Sequence, residues 1–249
     1  MKQNVSSHLR TLVKSGIKVR MKLTQLINKA KREGKVPLIA EIKLRTPKDG
    51  DLLKDRDPLQ IADEYIKGGA CAISVVTEPV HFGGNNEMLK KIASSVKLPV
   101  LRKDFIKKED QISESKQLGA KAVLLISTML SKEKLANLNR YAHLLRLETV
   151  VEIHAQEELE NLRGLALDMV GINNKDILDL ERGEDQTAPT QKLVSFLPKG
   201  VVVISESGIR SKEDVRKVID AGADAVLIGT ALLKAEDIRA KVEEVVWSK

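Results

Sequence analysis

Five short apolar segments of this 249-residue chain each end in a charged or amide side chain. The residues at these ends are Lys43, Lys103, Glu152, Asn173 and Glu206. Buried strands seldom end in this way, because lysine and glutamate side chains are almost never fully buried without a partner. The repetition indicates that the carboxyl ends of several strands converge on one polar pocket.

The spacing within the first segment supports a shared pocket. Glu41 and Lys43 are two residues apart, and because side chains alternate along a strand, both point to the same side. If Lys103, Glu152 and Glu206 also point inward, three carboxylates and two ammonium groups share one cavity. Crowded charges shift proton affinities and suit their members to acid and base catalysis, although purely structural ion-pair networks do the same.

The elements that would position these side chains are strands alternating with helices. Eight apolar runs of about five residues are separated by longer stretches of helical periodicity, which is the pattern of βα units in a parallel sheet. The three further runs are Ala72–Val76, Ala122–Ile126 and Ala225–Ile228. The predicted helices include residues 58–67, 109–118, 132–145, 157–164 and 212–221.

Eight such units predict a closed (β/α)8 TIM barrel, whose active site lies at the carboxyl ends of the strands. We expect residues 1–249 to form a single domain, with 1–36 as a short helical, basic extension and 37–249 as the barrel. Gly69, Gly119 and Gly222 each join a helix end to an apolar strand. Glycine at these positions predicts a left-handed helix cap.

Composition narrows the possible partners. A net charge of +7 suits nucleic acid, a membrane surface or an anionic small molecule. The basic excess is concentrated in residues 1–36 without a nucleic-acid-binding motif, and elsewhere charges of both signs alternate. Cys71 is the one cysteine, and no stretch has 18 uninterrupted apolar residues. We expect a cytoplasmic monomer or weak homo-oligomer that binds a small phosphorylated substrate, but no nucleic acid and no membrane.

Two glycine-containing loops predict the phosphate site. Ser207-Gly208 follows the seventh strand and Gly229-Thr230 follows the eighth, each before a helix. TIM barrels often bind phosphate between these two loops, where backbone N–H groups at a short helix amino terminus favour an anion.

From residue 37 onward, the chain resembles the indole-3-glycerol phosphate synthase family. The joint order and spacing of five motifs carry the resemblance. They are Ile39-Ala40-Glu41-Ile42-Lys43 followed by Thr46-Pro47, Lys103-Asp104-Phe105, Val151-Glu152-Ile153-His154, Gly171-Ile172-Asn173-Asn174-Lys175-Asp176 and Ser205-Glu206-Ser207-Gly208-Ile209.

The resemblance implies one reaction, without a metal or an organic cofactor. In it, 1-(2-carboxyphenylamino)-1-deoxyribulose 5-phosphate closes to indole-3-glycerol phosphate and loses carbon dioxide and water. Ring closure needs an ammonium group that polarises the ketone oxygen, and Lys103 matches the family's general acid. Later acid and base steps fall to residues matching Glu152, Glu41 and Lys43, in a division that stays open.

The resemblance also assigns the remaining site residues. It implies that Asn173 and Ser207 orient the substrate and that Glu206 accompanies the catalytic lysine. The implied phosphate contacts are Lys43 and the backbones of Gly208, Gly229 and Thr230. The implied apolar wall for the anthranilate ring is Phe82, Phe105, Ile177 and Leu180.

The chain departs from the family pattern at three places. Thr46, an expected substrate-binding residue, replaces the usual serine and keeps its hydroxyl. Lys175 replaces the usual arginine and so lacks the planar fork that grips a carboxylate with two hydrogen bonds. The amino-terminal extension, which helps cover the substrate in the family, is short and contains no Phe, Trp or Tyr in residues 1–36, so we expect a thinner cover.

Other chemistries fit the sequence less well. His8, His81, His143 and His154 lack paired ligand spacing, which argues against a metal site, and His154 is expected in a loop or behind the reacting groups. A Schiff-base aldolase that uses Lys103, natural or engineered, is the main alternative. A barrel that binds a phosphorylated ligand or RNA without catalysis is a third possibility.

Restoring the family's arginine at position 175 tests what Lys175 does. The variant Lys175→Arg should lower the KM for the carboxyphenylamino-deoxyribulose phosphate or leave it unchanged, because arginine restores two-point binding of a carboxylate. Steady-state kinetics of the two proteins measure this. A large rise in KM would show that Lys175 does not occupy the arginine position.

Overall fold

The computed structural model describes residues 21–176, 178 and 187–248, and within them eight parallel strands close into a barrel. The strands, in chain order, are β1 (Leu38–Ile42), β2 (Arg45–Thr46), β3 (Gly50–Asp51), β4 (Ala72–Val76), β5 (Val100–Lys103), β6 (Ala122–Ile126), β7 (Glu148–Ile153), β8 (Met169–Asn173), β9 (Val202–Glu206) and β10 (Ala225–Ile228). The short β2 and β3 form a separate antiparallel hairpin, and β1 closes the barrel by pairing with β4 and β10. The predicted (β/α)8 fold is confirmed.

Helices surround the barrel between successive strands. They are α1 (Leu23–Arg32), α2 (Pro58–Gly68), α3 (Asn86–Ser95), α4 (Glu109–Gln117), α5 (Lys132–Leu144), α6 (Leu159–Leu162), α7 (Ala188–Leu193), α8 (Lys212–Asp220), α9 (Thr230–Leu233) and α10 (Ile238–Val246). Across the described ranges, none of the helices combines the length and the apolar character needed to cross a membrane.

One predicted helix is shorter than expected. The helix predicted over 157–164 is a 3₁₀ turn at Gln156–Glu158 followed by the single turn α6. The Glu158 carboxylate accepts the backbone N–H groups of His154 and Ala155, which fixes the start of this turn. Gly164 then adopts a left-handed φ of 81°, which ends the helix early.

The barrel strands are buried on both faces, as a parallel sheet covered by helices requires. Ile39 points into the barrel and packs in the interior cluster with Leu101 and Val150. Its neighbours Leu38 and Ala40 pack outward against the helices. The predicted alternation along β1 is therefore confirmed, and it places Glu41 on the same side as Ile39, at the inner face.

The described part of the amino-terminal extension lies at the opposite end of the barrel from the polar strand ends. Leu23 and Ile27 of α1 are fully buried and join the interior cluster. Glu148, the first residue of β7, accepts the Leu23 N–H at 2.6 Å and so satisfies a free donor at the start of α1. Residues 1–20, on which the predicted substrate cover also depends, lie outside the described residues.

Three helix-to-strand turns follow the predicted pattern. Gly69, Gly119 and Gly222 have φ values of 99°, 94° and 115°. This left-handed region costs glycine little and other residues more. The expected left-handed caps are confirmed, and they return each chain segment to the barrel at the start of a strand.

Candidate active site

Four strands bring their polar ends together around the Lys103 ammonium group. Lys103 Nζ lies 2.8 Å from Glu206 Oε2, 3.6 Å from Glu41 Oε2 and 4.0 Å from Glu152 Oε2. The side chains of the three glutamates are at most 3% exposed, and the Lys103 side chain is 11% exposed. One ammonium group thus partly compensates three buried carboxylates.

Glu41 also links Lys103 to the second ammonium group of the site. Lys43 Nζ lies 3.0 Å from Glu41 Oε1, while the other oxygen of the same carboxylate faces Lys103. The two-residue spacing on one strand therefore produces the inward pair that the sequence predicts. Two positive and three negative groups occupy one buried cluster.

This crowding pushes the proton affinities of two carboxylates in opposite directions. Burial raises the pKa of Glu206 to about 7, opposed by the charge of Lys103 and reinforced by Glu152 and Glu41. Burial also acts to raise the pKa of Glu152, but the contact with His154 and the charge of Lys103 outweigh it and hold that pKa below its usual value. Such a separation suits one carboxyl to carry a proton at neutral pH while the other accepts one.

A cavity of about 310 Å³ opens beside this cluster. Its wall contains Glu41, Lys43 and Lys103 on one side and Ser207, Gly208, Gly229 and Thr230 on another. Further cationic side chains at its rim are Lys175, Arg210, Lys234 and Lys241. The excess of positive charge suits an anionic ligand.

A narrow apolar recess adjoins the cavity and shares Glu41, Lys43 and Lys103 with it. Phe82 and Phe105 line this recess with ring centroids 6.5 Å apart in an edge-to-face arrangement. The recess presents an aromatic surface against which a flat apolar ring can pack. Ile177 and Leu180, also predicted for this wall, lie outside the described residues.

Asn173 ends β8 directly beside Glu206. Its side-chain oxygen accepts the N–H of Lys175 at 3.0 Å. Its buried Nδ2 has no hydrogen-bond partner among the described residues. A buried donor without a partner is costly, so this amide is suited to bind a polar group of a ligand.

Thr46 is placed differently from the other predicted binding residues. It is buried, does not line the cavity, and its hydroxyl accepts the backbone N–H of Asp49 at 2.9 Å. Asp49 itself lines the cavity and contacts Lys234 of the segment after α9. In this structure Thr46 therefore shapes the hairpin that supports the rim.

Comparison with known proteins decides the family. A family model described as indole-3-glycerol phosphate synthase matches residues 1–245. The chain belongs to the indole-3-glycerol phosphate synthase family. The resemblance drawn from the five motifs is confirmed, as is the reaction that it implied, which makes the chain a carboxy-lyase of tryptophan biosynthesis.

Individual relatives support the same family. The indole-3-glycerol phosphate synthase of Pyrococcus abyssi is 45% identical over 212 residues, covering 85% of this chain and 92% of that protein. The protein of the same name from Carboxydothermus hydrogenoformans is 43% identical over 218 residues, covering 87% of this chain and 81% of the relative.

Solved structures of more distant proteins share only the fold. Thiamine phosphate pyrophosphorylase from Pyrococcus furiosus superposes with a TM-score of 0.60 at 18% identity, over 84% of this chain and 93% of that chain. A structure described as native KDPGal gives a TM-score of 0.62 at 15% identity, over 86% and 92% of the two chains.

The sequence prediction missed the glycine that makes room for the cluster in this family member. Gly171 on β8 lies beside Glu152 in the sheet, and a Cβ atom at Gly171 would come within 2.2 Å of Glu206 Oε1. A glycine inside a strand is itself a signal for close approach of another group. Gly229 likewise faces Glu41, where a Cβ atom would lie 2.7 Å from Oε1.

The sequence prediction also missed the residues that hold the strand ends from outside. Arg102, next to Lys103, points outward and donates to Glu114 at 2.8 Å and to Asp104 at 2.9 Å. Asn174, next to Asn173, donates to Ser205 Oγ and to the backbone oxygens of Glu206 and Ser207, each at 3.0 Å. The signal in the sequence is a pair of adjacent polar residues at each strand end, Arg102-Lys103 and Asn173-Asn174, of which only one can face the cavity.

The clearance at Gly171 predicts a loss of turnover. In Gly171→Ala the added methyl group must displace the Glu206 carboxylate from Lys103, and misplacement of about 1 Å can cost about 100-fold in rate. We expect kcat to fall by that order while the fold is retained, as measured by product formation and circular dichroism.

A double-mutant cycle isolates the cause of that loss. In a Glu206→Asp background the shorter carboxylate leaves space, so the same alanine substitution should cost much less. Equal losses of kcat in the two backgrounds would show that Gly171 acts on something other than Glu206.

Proposed function

We propose that this chain closes 1-(2-carboxyphenylamino)-1-deoxyribulose 5-phosphate to indole-3-glycerol phosphate, with Lys103 as the general acid. The observation that carries the proposal is the position of Lys103 Nζ, within 4.0 Å of three carboxylates at the junction of a cationic cavity and an apolar recess. A substrate with a phosphate at one end and an aromatic ring at the other fits such a junction.

The two ends of the substrate would bind to different walls. The phosphate would lie between the loops at Gly208 and Gly229–Thr230, near Lys43, all of which line the cavity. The carboxyphenyl ring would lie against Phe82 and Phe105 at the recess. The ketone carbon would then lie near Lys103, which lines both spaces.

In the first step, the ring carbon that bears the carboxylate attacks the ketone carbon. Lys103 donates a proton to the developing alkoxide, which becomes a hydroxyl group. The Nδ2 of Asn173, which has no hydrogen-bond partner among the described residues, is a second donor at the same mouth and, with Ser207, would orient the hydroxyl groups of the substrate. Release of carbon dioxide then restores the aromatic ring.

In the last step, Lys43, the second ammonium group of the cluster, would donate a proton so that the hydroxyl group leaves as water, and the anilinic nitrogen of the substrate would lose its proton to a base. We assign Glu152 as the base, because its pKa lies below the usual value despite burial: contacts with His154 and Lys103 favour the carboxylate form. Glu41 would hold Lys43 and Lys103 in place, since its two oxygens face the two ammonium groups. Glu206 has a pKa of about 7 beside the charged Lys103, so it could take up a proton once Lys103 has given up its own.

The aldolase alternative needs a different state of Lys103. A Schiff base forms from the neutral amine, which is favoured by an apolar pocket or a neighbouring cation. Here three carboxylates within 4.0 Å favour the ammonium form instead. The surroundings of Lys103 therefore support proton donation over attack on a carbonyl carbon.

The domain organisation, the cellular location and the oligomeric state are also proposals. We propose a single barrel domain, with residues 1–36 as its extension, that acts in the cytoplasm as a monomer or weak homo-oligomer. Its partner is the small phosphorylated substrate rather than nucleic acid or a membrane. Cys71 is a buried free thiol whose pKa is raised to about 12 by burial, which suits a structural residue in a reducing compartment.

Turnover with and without Lys103 tests the proposal. The purified protein should convert the carboxyphenylamino-deoxyribulose phosphate to a product with indole fluorescence, releasing one carbon dioxide per product. Lys103→Ala should lose at least about 100-fold in kcat, because it removes the general acid. The exposed Lys107→Ala, four residues further along, should retain parental activity and serves as the matched control.

Borohydride trapping distinguishes the alternative reaction. If Lys103 formed a Schiff base, reduction in the presence of substrate would add the mass of a bound carbon skeleton to the protein. We expect no such adduct by mass spectrometry. Absence of indole fluorescence in the parent together with an adduct at Lys103 would replace the proposal with the aldolase.

A further inference from the structure

His154 lies between two glutamates just beyond the end of β7. Its Nε2 is 3.2 Å from Glu152 Oε1, and its Nδ1 is 3.5 Å from Glu158 Oε1. The imidazole is 12% exposed, and the Glu152 side chain is fully buried. A carboxylate at each ring nitrogen favours the imidazolium, the one form of histidine in which both nitrogens carry protons.

Glu158, the carboxylate on the far side of His154 from Glu152, is held by backbone hydrogen bonds. Glu158 Oε1 accepts the N–H of His154 at 2.8 Å and that of Ala155 at 3.1 Å. These bonds belong to the 3₁₀ turn that shortened the predicted helix. The turn therefore fixes the carboxylate that faces the far side of the histidine ring.

We propose that His154 is a positioning residue that keeps Glu152 ionised and turns the second oxygen of its carboxylate, Oε2, towards the reacting substrate. This inference rests on the function proposed above, in which Glu152 is the base. The imidazole faces Glu152 Oε1, while Oε2 lies on the Lys103 side of the carboxylate. Without the imidazolium, Lys103 would be the remaining cation in direct contact with Glu152 among the described residues.

The surroundings of Glu152 explain why a second cation is needed. Glu206 on β9 faces Glu152, and the charge of each carboxylate disfavours ionisation of the other. Lys103 is shared among three carboxylates and lies closest to Glu206, at 2.8 Å. The charged groups around the pair of Glu152 and His154 are Lys103 from β5, Glu206 from β9, Glu41 and Lys43 from the β1 end, and Glu158 from the 3₁₀ turn.

The charge state of the histidine agrees with this geometry. Burial acts to lower the pKa of His154, but Glu152 and Glu158 more than offset it and raise the pKa to about 10. The imidazolium thus persists across the neutral range and is lost only as the pH rises through that value. It acts as a constant positive charge beside Glu152, without itself exchanging protons during turnover.

The pH profile of His154→Gln tests the proposal. Glutamine keeps a side-chain donor but removes the charge, so the pKa of Glu152 should rise. We expect the acid limb of the kcat profile to move upward by about 1 pH unit, with KM changed less than twofold and kcat approaching the parental value at high pH. A purely structural role would instead lower kcat equally at every pH, and that result would overturn the proposal.

Two further variants complete the comparison. Glu158→Gln should leave the acid limb near its parental position but lower the pH at which the His154 ring titrates, because the ring stays charged through the acid range and loses one of its two carboxylate partners. If His154→Gln does not fold, an unchanged ring titration in Glu158→Gln would overturn the proposal. His143→Gln, a histidine on α5 whose Nε2 lies 2.6 Å from Asp168, is the matched control and should leave the profile unchanged.

Titration of the histidine ring by nuclear magnetic resonance separates this inference from the proposed function. In the parent, the imidazolium signal of His154 should persist above pH 8, and in Glu152→Gln the ring should titrate at lower pH. This readout needs no turnover. Titration of parental His154 near its ordinary value of 6.5 would overturn the inference even if the parent makes indole-3-glycerol phosphate.

Discussion

The compensation of buried charge around Lys103 is the constraint on which the site depends. Removing a carboxylate from water costs several kcal/mol unless a partner is well placed, and this protein buries three of them at one barrel end. The carboxylates come from β1, β7 and β9 and the cation from β5, which are alternate strands around the ring. A closed barrel is the arrangement that brings carboxylates from these distant segments within 4.0 Å of Lys103 Nζ.

Around this cluster, the structure provides space on the inside and restraint on the outside. Gly171 and Gly229 leave the volume that the Glu206 and Glu41 carboxylates occupy. Arg102 and Asn174 face away from the cavity and bind the loops and helices behind it. The charged groups of the cluster are therefore placed by strands whose adjacent residues are hydrogen-bonded to the structure behind the cavity, which is the support that accurate positioning requires.

The sequence was sufficient to predict the fold and the convergence of the polar strand ends. Alternation on β1 predicted that Glu41 and Lys43 share a face, and the glycine turns predicted the return of helices to strands. What it could not supply were contacts between segments far apart in the chain. The link from Glu148 to α1 and the role of Gly171 both depend on which strands become neighbours.

Local competition between bonds explains the remaining differences. The periodicity over 157–164 is helical, but Glu158 binds two preceding N–H groups and holds a 3₁₀ turn instead. Thr46 was expected at the substrate, yet its hydroxyl binds Asp49 within the same short hairpin. Such short-range polar bonds compete with regular structure and with ligands, and residue type alone does not decide the outcome.

A crystal structure with a substrate analogue whose ketone is reduced to an alcohol tests most directly whether Lys103 is the general acid. If it is, the alcohol oxygen should lie within about 3.2 Å of Lys103 Nζ, which is hydrogen-bonding distance. The phosphate should then lie beside Gly208 and Gly229, and the ring should lie against Phe82 and Phe105. An alcohol oxygen that binds elsewhere, with Lys103 contacting only carboxylates of the protein, would contradict the assignment of Lys103 as the general acid.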